Sequence, residues 1–286
     1  MANIRLIKGR IKSVKNIAQI TKAMELVAAS KMKKAQAAAL AGTLYAQKIY
    51  RMVMELSSKI DRTAHPLLVK QAVLSGKRLV ILISTNKGLC GGLNTNLFRF
   101  LLREYGSATM NAFITLGKKA VWFLAKTGAT ISADFSQTTP FVNAVPAMTQ
   151  LIINEYLAGR VDGVDLVYNE FMSALKQTPR KKTLLPLTIE ASLGTEHESP
   201  AAFLIEPTVS EVFDSLLPHY VENQLRDAML QAEASEHSAR MLAMRNATDN
   251  ATSFMQELTL LYNKARQEKI TYEISDMVTA RLAVEV

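Results

Sequence analysis

The placement of glycine and proline is the feature that most limits the fold of this chain. All eight prolines and ten of the twelve glycines lie between Pro66 and Pro218. Residues 219–286 contain neither residue type, and residues 1–65 contain only two glycines. Because proline and glycine interrupt helices, both ends predict long helices. The middle predicts a domain with turns.

Apolar residues at both ends recur every three or four positions, which is typical of helices that pack along one stripe. The N-terminal series is Ile4, Ile7, Ile11, Val14, Ile17, Ile20, Met24 and Val27. The C-terminal series is Met255, Leu258, Tyr262, Ala265, Ile270, Ile274 and Met277. At about 1.5 Å per residue each end can form a rod of roughly 100 Å. A small domain cannot bury such a rod, so we predict that the two ends pair as a long antiparallel coiled coil.

The middle of the chain alternates short apolar runs with helical segments. Strands are predicted at residues 78–84, 111–116, 129–135 and 164–168, and helices near 94–105, 117–127 and 146–159. This alternation indicates βαβ units, hence an α/β fold with a mostly parallel sheet. The run 181–190 predicts an edge strand because Pro186 lies inside it, and 193–202 predicts a loop.

These patterns divide the chain into three segments. Residues 1–65 are predicted to form an N-terminal coiled-coil helix, residues 66–207 a globular α/β domain, and residues 208–286 a C-terminal coiled-coil helix. The three segments account for the whole chain.

Positive charge is concentrated in the first predicted helix. Residues 1–60 contain twelve Lys or Arg and two Glu, a net charge of +10. The whole chain carries +9, so the other 226 residues sum to −1. A basic rod predicts an acidic partner, which could be nucleic acid, anionic lipid or acidic protein loops, although a solvated helix face would look the same.

The stretch NKGLCGGLN (86–94) follows the apolar run RLVILIS (78–84) and is the best candidate for a phosphate site. A strand, a glycine-rich turn and a helix form the usual context of such sites. However, Gly88, Gly91 and Gly92 match neither GxxxxGK[ST] nor GxGxxG, and Lys87 precedes them. A tight turn explains these glycines equally well.

Other chemistry is poorly represented. None of the four histidines, His65, His197, His219 and His237, has the spacing of a metal site. Cys90, the single cysteine, has no recognisable base partner and belongs to no disulfide framework. We therefore predict no catalytic residue, no bound metal and no cofactor.

Four segments together resemble the gamma subunit of the F-type ATP synthase. They are ITKAMELVAASKM (20–32), NKGLCGGLNTNLF (86–98), SARMLAMRNATDNA (238–251) and LYNKARQEKITYEISDMV (261–278). They occur in order at both ends and in the middle, so the resemblance extends over essentially the whole chain. It departs from the family at Asn86, where Asp is usual, and at Ala280 and Arg281, where Gly-Ala is usual.

The resemblance implies a non-catalytic rotor shaft that couples proton or sodium flow through a membrane c-ring to ATP synthesis or hydrolysis. It implies a Rossmann-like central domain, and as partners three alpha subunits, three beta subunits, the epsilon subunit and the c-ring. Catalysis takes place in the beta subunits.

The resemblance also assigns roles to individual residues. Contacts with the beta subunits are implied for Lys22, Met24, Arg240, Gln267, Thr271 and Glu273. The glycine loop of the family is matched by Gly88, Cys90, Gly91 and Gly92. Its c-ring end is matched by Ile205, Glu206 and Pro207.

Two other hypotheses remain open from the residues alone. A nucleotide-dependent enzyme predicts that the isolated chain binds or turns over a nucleotide. A nucleic-acid-binding arm predicts salt-dependent affinity and aromatic residues among the basic ones. The first 44 residues contain no aromatic residue, which weakens the second hypothesis for single strands.

The location of the protein is predicted from what its sequence lacks. No stretch reaches the roughly 18 uninterrupted apolar residues of a membrane span, and the basic N-terminal pattern runs past the length of a presequence. One cysteine suits a reducing compartment. We expect a peripheral protein on the cytoplasmic face of a bacterial plasma membrane, with membrane contact only through the c-ring and no binding to nucleic acid.

Overall fold

The computed structural model describes residues 4–57, 66–68, 76–106, 110–187 and 206–284. These residues form five α-helices and five strands. In chain order they are α1 (Ile4–Ser57), β1 (Arg78–Ile83), α2 (Leu93–Tyr105), β2 (Ala112–Leu116), α3 (Lys118–Thr127), β3 (Thr130–Asp134), α4 (Val145–Leu157), β4 (Gly163–Phe171), β5 (Gln177–Leu185) and α5 (Val209–Val284).

The chain divides into two units. One comprises residues 1–29 and 240–286, whose described part is a pair of helices, and the other comprises residues 30–239, whose described part is an α/β domain. The predicted long terminal helices and central sheet are confirmed, and α5 accommodates Pro218 within its length. The three-segment division at residues 65 and 207 stays a prediction.

The helix pair packs along a strict heptad. In α1 the residues with the least exposure alternate steps of three and four, and they are Ile4, Ile7, Ile11, Val14, Ala18, Thr21, Glu25 and Ala28. In α5 the same spacing is shown by Met244, Thr248, Ala251, Met255, Leu258, Tyr262 and Ala265. A repeat of 3.5 residues keeps one stripe of each helix on its partner. We call these two stripes the seam.

The seam is joined by a pair of hydroxyl groups. The Oγ1 atoms of Thr21 and Thr248 lie 2.7 Å apart, within hydrogen-bond distance. An antiparallel register through this contact brings the two stripes into step over their whole length. It sets Ile4 opposite Ala265, Ile7 opposite Tyr262, Ile11 opposite Leu258, Val14 opposite Met255 and Ala18 opposite Ala251. The two heptad stripes therefore match in the antiparallel direction that the sequence predicts.

The seam differs from the predicted apolar series at three positions of α1. Ile17, Ile20 and Val27 are 51%, 60% and 57% exposed, so their assignment to the buried stripe is wrong. The strict heptad passes instead through Ala18, Thr21, Glu25 and Ala28. Small side chains allow two helices to approach closely, and the larger apolar residues beside them are left on the outside.

The C-terminal series is confirmed only in its first half. Met255, Leu258, Tyr262 and Ala265 lie in the seam, but every residue from 266 to 281 is exposed. Ile270, Ile274 and Met277 are among these exposed residues, so the described residues of the helix pair do not cover this stripe.

The α/β domain contains one five-stranded sheet in the order β3-β2-β1-β4-β5. Strand β1 pairs in parallel with β2 and β4, and β2 pairs in parallel with β3. Strand β5 pairs antiparallel with β4 at one edge. The predicted edge strand is confirmed, although it spans Gln177–Leu185 and contains Pro179 instead of Pro186. Residues 188–190 of that prediction, and the predicted loop 193–202, lie outside the described residues.

Both faces of the sheet are covered by helices. One face packs on α2 and α3, with Leu97, Leu101, Ala120 and Leu124 among the buried residues. The other face packs on α4 and on the domain's own parts of α1 and α5, which contribute Ile49, Val53, Phe213, Leu217, Val221 and Leu225. Burial on both faces explains why β1 and β4 are continuous apolar runs.

A buried carboxylate links the strands β1, β4 and β5. The side chain of Asp165 is fully buried and accepts two hydrogen bonds from Arg78, at 2.5 and 2.7 Å. The hydroxyls of Tyr105 and Thr183 donate to it at 2.8 Å each, and the Lys181 ammonium lies 3.7 Å away. Burial alone would raise the pKa of Asp165, but these donors outweigh it and hold the pKa below its usual value.

Replacing Asp165 with leucine should strongly destabilise the domain, because the Arg78 guanidinium would lose its buried counter-charge. We expect a loss of about 3–5 kcal/mol in the free energy of unfolding, measured by urea denaturation. Asp227→Leu, which removes a carboxylate from α5 outside this network, is the control.

The same carboxylate predicts a direction of pH dependence. Because the folded pKa is depressed, its stabilising contribution is present above the unfolded pKa of about 3.9. It is lost as the pH falls below that value through the folded pKa. Asp165→Leu should therefore flatten the acid limb of stability against pH, and an unchanged acid limb would contradict this assignment.

Candidate functional site

The glycine loop connects the carboxyl end of β1 to the start of α2. The chain leaves β1 for β2 on one side, whereas β4 pairs with β1 on the other. In doubly wound folds ligands bind at such a switch point, outside the carboxyl ends of the strands. The predicted loop therefore stands at the position where a nucleotide would bind, and its detailed geometry decides whether it can.

Side chains within the loop hold its shape. The Thr85 hydroxyl donates to the Lys87 carbonyl at 2.8 Å and accepts from the Asn94 amide at 2.7 Å. The Asn94 amide nitrogen also lies 3.4 Å from Cys90 Sγ. Cys90 is buried. These contacts describe a tight turn that satisfies its own polar groups, as in one of the two interpretations of the sequence.

The most exposed apolar side chain of the loop was not among the predicted site residues. Leu89 is 61% exposed and has φ = 62°, a left-handed conformation that non-glycine residues rarely adopt. Gly88, Gly91 and Gly92 around it are exposed as well. Strained backbone of this kind persists where a structure holds it and often marks a contact site. Its position between Gly88 and Gly91 was the feature of the sequence that could have identified it as a site residue.

The closest backbone approach near the loop involves a different glycine. Gly117, which precedes α3, has φ = 94°, and a Cβ atom there would lie 2.3 Å from the Ser84 carbonyl oxygen. In contrast, a Cβ at Gly92 would meet only the flexible Asn96 side chain, at 3.6 Å. The Asn86 side chain accepts a hydrogen bond from the Lys118 N–H at 3.0 Å, a contact that the amide makes without a charge.

Helix α5 lies over the crevice at the switch point. Ala232, Glu233 and Glu236 line one small cavity together with Ile83, Ser84, Thr85, Leu93, Phe141 and Asn169. The cavity offers about 10 Å³, room for a single water-sized molecule. A ligand pocket of nucleotide size needs roughly 300 Å³ or more. Two carboxylates at this place also repel phosphate, so the crevice is built as a helix-packing surface.

The predicted contact residues on the helix pair differ in exposure. Lys22 is exposed and pairs with Glu25 at 3.0 Å, whereas Met24 is half-buried beside the seam. Gln267 and Thr271 are exposed, with the Thr271 hydroxyl donating to the Gln267 carbonyl at 2.9 Å.

Two further predicted contact residues complete this set. Glu273 is exposed and pairs with Lys269 at 3.4 Å. Arg240 is only 9% exposed, which leaves little of its surface for a partner. The contact roles of all these residues stay predictions.

The remaining predicted residues are only partly within the described structure. Glu206 and Pro207 are exposed, and Ile205 lies outside the described residues, as do His65 and His197. His237 Nε2 lies 3.6 Å from Glu233. Within the described ranges, no three His, Cys, Asp or Glu side chains are grouped as metal ligands. No helix in these ranges is long and apolar enough to cross a bilayer.

These features define a class of protein. It combines an antiparallel helix pair, whose outer face is apolar and basic, with a doubly wound α/β domain whose ligand crevice is covered by its own helix.

Comparison with known proteins identifies the family. A family model described as ATP synthase matches residues 3–284. The ATP synthase gamma chain of Opitutus terrae is 42% identical over 99% of both chains, and that of Dehalococcoides mccartyi is 40% identical over 99% of this chain and all of its own. The chain belongs to the ATP synthase gamma chain family. It is a non-catalytic subunit of the F-type ATP synthase and forms part of its central stalk, the rotor.

Solved structures show the same fold. A chain of the Euglena gracilis mitochondrial ATP synthase, in an assembly of OSCP, F1 and c-ring, has a TM-score of 0.64 at 22% identity, covering 98% of this chain and 94% of its own. A chain of the Tetrahymena thermophila central stalk and c-ring has a TM-score of 0.57 at 24% identity, covering 80% and 99%.

Gly117→Ala should destabilise the domain far more than Gly92→Ala. A Cβ at position 117 collides with the Ser84 backbone and adopts a strained φ, so we expect a loss of about 3 kcal/mol or more in the free energy of unfolding. Gly92→Ala should cost less than about 1 kcal/mol. Chemical denaturation of both variants checks this, and equal losses would contradict it.

Proposed function

We propose that the outer face of the helix pair is the surface through which this rotor contacts a ring of three alpha and three beta subunits. The observation that supports it is the exposed apolar face left by the seam, formed by Ile17, Ile20 and Val27, with Leu26 exposed on another side of the helix. Lys22 stands on the exposed side of the same helix. Apolar groups exposed in this number on one helix mark an interaction surface.

The proposed coupling depends on the unequal charge of the two helices. Residues 4–29 of α1 carry six basic side chains and one acidic, a net of +5. Residues 240–284 of α5 carry six basic and five acidic, a net of +1. Acidic loops of the beta subunits would meet a strongly basic helix at one rotor angle and a nearly neutral one at another. A difference in contact free energy between angles is what holds three sites in different states.

The exposed end of α5 has a related role in this proposal. Gln267, Thr271 and Glu273 lie in the stretch 266–281, where every residue is exposed. The apolar stripe of Ile270, Ile274 and Met277 runs through the same stretch. We propose that this end is enclosed by the ring, whose side chains cover the stripe. Arg240, which is nearly buried, would contribute mainly by supporting its own helix pair.

The α/β domain is proposed to contact the c-ring and the epsilon subunit. Glu206 and Pro207 are exposed just before α5, and with Ile205 they would face the c-ring. The glycine loop, with Leu89 at its tip, would contact the epsilon subunit or the ring. The similar Tetrahymena chain belongs to a structure of the central stalk and c-ring, and the similar Euglena chain to an assembly of OSCP, F1 and c-ring, which supports this placement. The membrane side is proposed to be the cytoplasmic face of a bacterial membrane, and proton or sodium flow the driving force.

Cross-linking of the assembled complex tests the proposed contact surface. The only native cysteine is buried, so an introduced one reacts selectively. Ile20→Cys should form a cross-link to a subunit of the ring with a short bifunctional reagent. The control is Ala28→Cys, because Ala28 is buried in the seam. Products should be identified by mass spectrometry, and cross-linking of the seam variant alone would contradict the proposal.

Met24→Lys should weaken coupling between ATP hydrolysis and ion pumping. Met24 is half-buried at the edge of the seam. We propose that it meets a basic region of a beta subunit, distinct from the acidic loops, where a lysine would add a repelling cation. We expect ATP-driven acidification of inverted membrane vesicles, per ATP hydrolysed, to fall about twofold or more, because coupling free energies are only about 1–3 kcal/mol. Met24→Leu, which keeps the size without the charge, should pump normally. Unchanged pumping per ATP in the lysine variant would reject this role.

A further inference from the structure

Two buried side-chain atoms in the described part of the α/β domain have no protein partner, Asn169 Oδ1 and Asn223 Nδ2, and the first of them borders a cavity. Asn169, near the end of β4, is 3% exposed, and its Oδ1 atom makes no hydrogen bond within the described residues. Buried polar side-chain atoms are almost always hydrogen-bonded, and an exception points to a bound water or ion. The atom therefore identifies a place where something other than protein is expected.

Asn169 lines the cavity beneath α5. This cavity lies at the carboxyl ends of β1 and β4, and its volume of about 10 Å³ fits one water-sized particle. Glu233 and Glu236, one helical turn apart on α5, line it from the other side. Asn169, whose amide oxygen is unpartnered, and two glutamates thus line the same small cavity, although the Glu233 side chain is itself 40% exposed.

The two hydroxyl groups in the lining are already used. Ser84 Oγ accepts from the Ala120 N–H at 2.8 Å and lies within donating distance of the carbonyls of Leu116 and Gly117, at 3.3 and 3.2 Å. The Thr85 hydroxyl donates to the Lys87 carbonyl. Both hydroxyl protons are therefore directed away from the cavity. At Asn169 Oδ1 an occupant meets an acceptor oxygen, so it must be a cation or a hydrogen-bond donor such as water.

The size of the cavity restricts the cation. Mg²⁺ is bound with near-octahedral geometry and usually keeps several water molecules, which a space for one particle does not admit. A dehydrated alkali ion is close to water in size and accepts irregular oxygen coordination. The two glutamates also favour positive charge, although both already interact within the protein: Glu233 lies 3.6 Å from the His237 imidazole, and Glu236 has an interaction of its own.

We propose that this cavity is a binding site for a single alkali cation, Na⁺ or K⁺, ligated by Asn169 Oδ1 and by the carboxylates of Glu233 and Glu236. The ion joins the end of β4 to α5 and so fastens the helix to the sheet within the α/β domain. This site is independent of the contacts proposed for the rotor surfaces, and its test needs no partner subunit.

Thermal unfolding of the full-length chain tests the proposal. Melting temperatures are compared in NaCl, KCl and choline chloride at equal ionic strength. A cation that binds only the folded state should raise the midpoint by about 2–6 °C between zero and saturating salt. Choline, which is too large for the cavity, should give no such rise. Equal midpoints in all three salts would overturn the proposal.

Three variants sharpen the test. Asn169→Leu and Glu233→Gln should abolish the difference between NaCl or KCl and choline chloride. Glu222→Gln, which removes a carboxylate of α5 that pairs with Arg226 outside the cavity, should retain it. If Asn169→Leu is instead more stable than the native chain in all three salts, the cavity holds no cation and the proposal fails.

Asn169→Asp provides an outcome that a bound water would not produce. A third carboxylate should increase the affinity for the cation, so the salt-dependent rise in midpoint should exceed that of the native chain. With water as the occupant, the same substitution should destabilise the chain equally in all salts. Hydrogen exchange of the peptide covering β4, measured in NaCl and in choline chloride, gives the same comparison if heating is irreversible.

Discussion

The heptad register of the seam is the constraint on which the surface of the helix pair depends. Ala18, Thr21 and Ala28 occupy heptad positions where larger apolar residues are usual, and they are among the least exposed residues of this part of α1. The larger apolar residues of α1 are consequently left outside, where they would be a liability for a solitary chain. A rod that leaves large apolar residues on its exterior is suited to being surrounded by other subunits.

Much of the fold could be predicted from the sequence because helix breakers and apolar runs report local structure directly. The absence of glycine and proline after Pro218 predicted the C-terminal helix, and the run RLVILIS predicted β1. The seam was predicted less well, because the choice between Ile17 and Ala18 depends on the partner helix and not on hydrophobicity. A strict heptad through alanine and threonine gives almost no hydrophobic signal.

The candidate site, like the fold, was predictable from the sequence only in part. The glycine loop was found from its context, and the absence of the phosphate-binding fingerprints agrees with its geometry as a turn. Two features were not predictable from one sequence. Gly117 is more constrained than the loop glycines because Ser84, 33 positions earlier, approaches it in space. The cover over the crevice comes from α5, more than 140 residues from β1 along the chain. In doubly wound sheets this crevice is usually open to ligands. In this protein α5 packs over it instead.

The hydroxyl pair of Thr21 and Thr248 has a mechanical consequence. Each hydroxyl also lies near a carbonyl of its own helix, Ala18 at 3.1 Å and Met244 at 2.9 Å. Sliding one helix by a heptad would place Thr21 against Met241 or Met255 and would forfeit the bond between the helices, at a cost of about 1 kcal/mol. When a force acts along the axis, the hydroxyl pair thus favours one register of the two helices over a register shifted by a heptad. A purely aliphatic stripe would contain no such hydrogen bond.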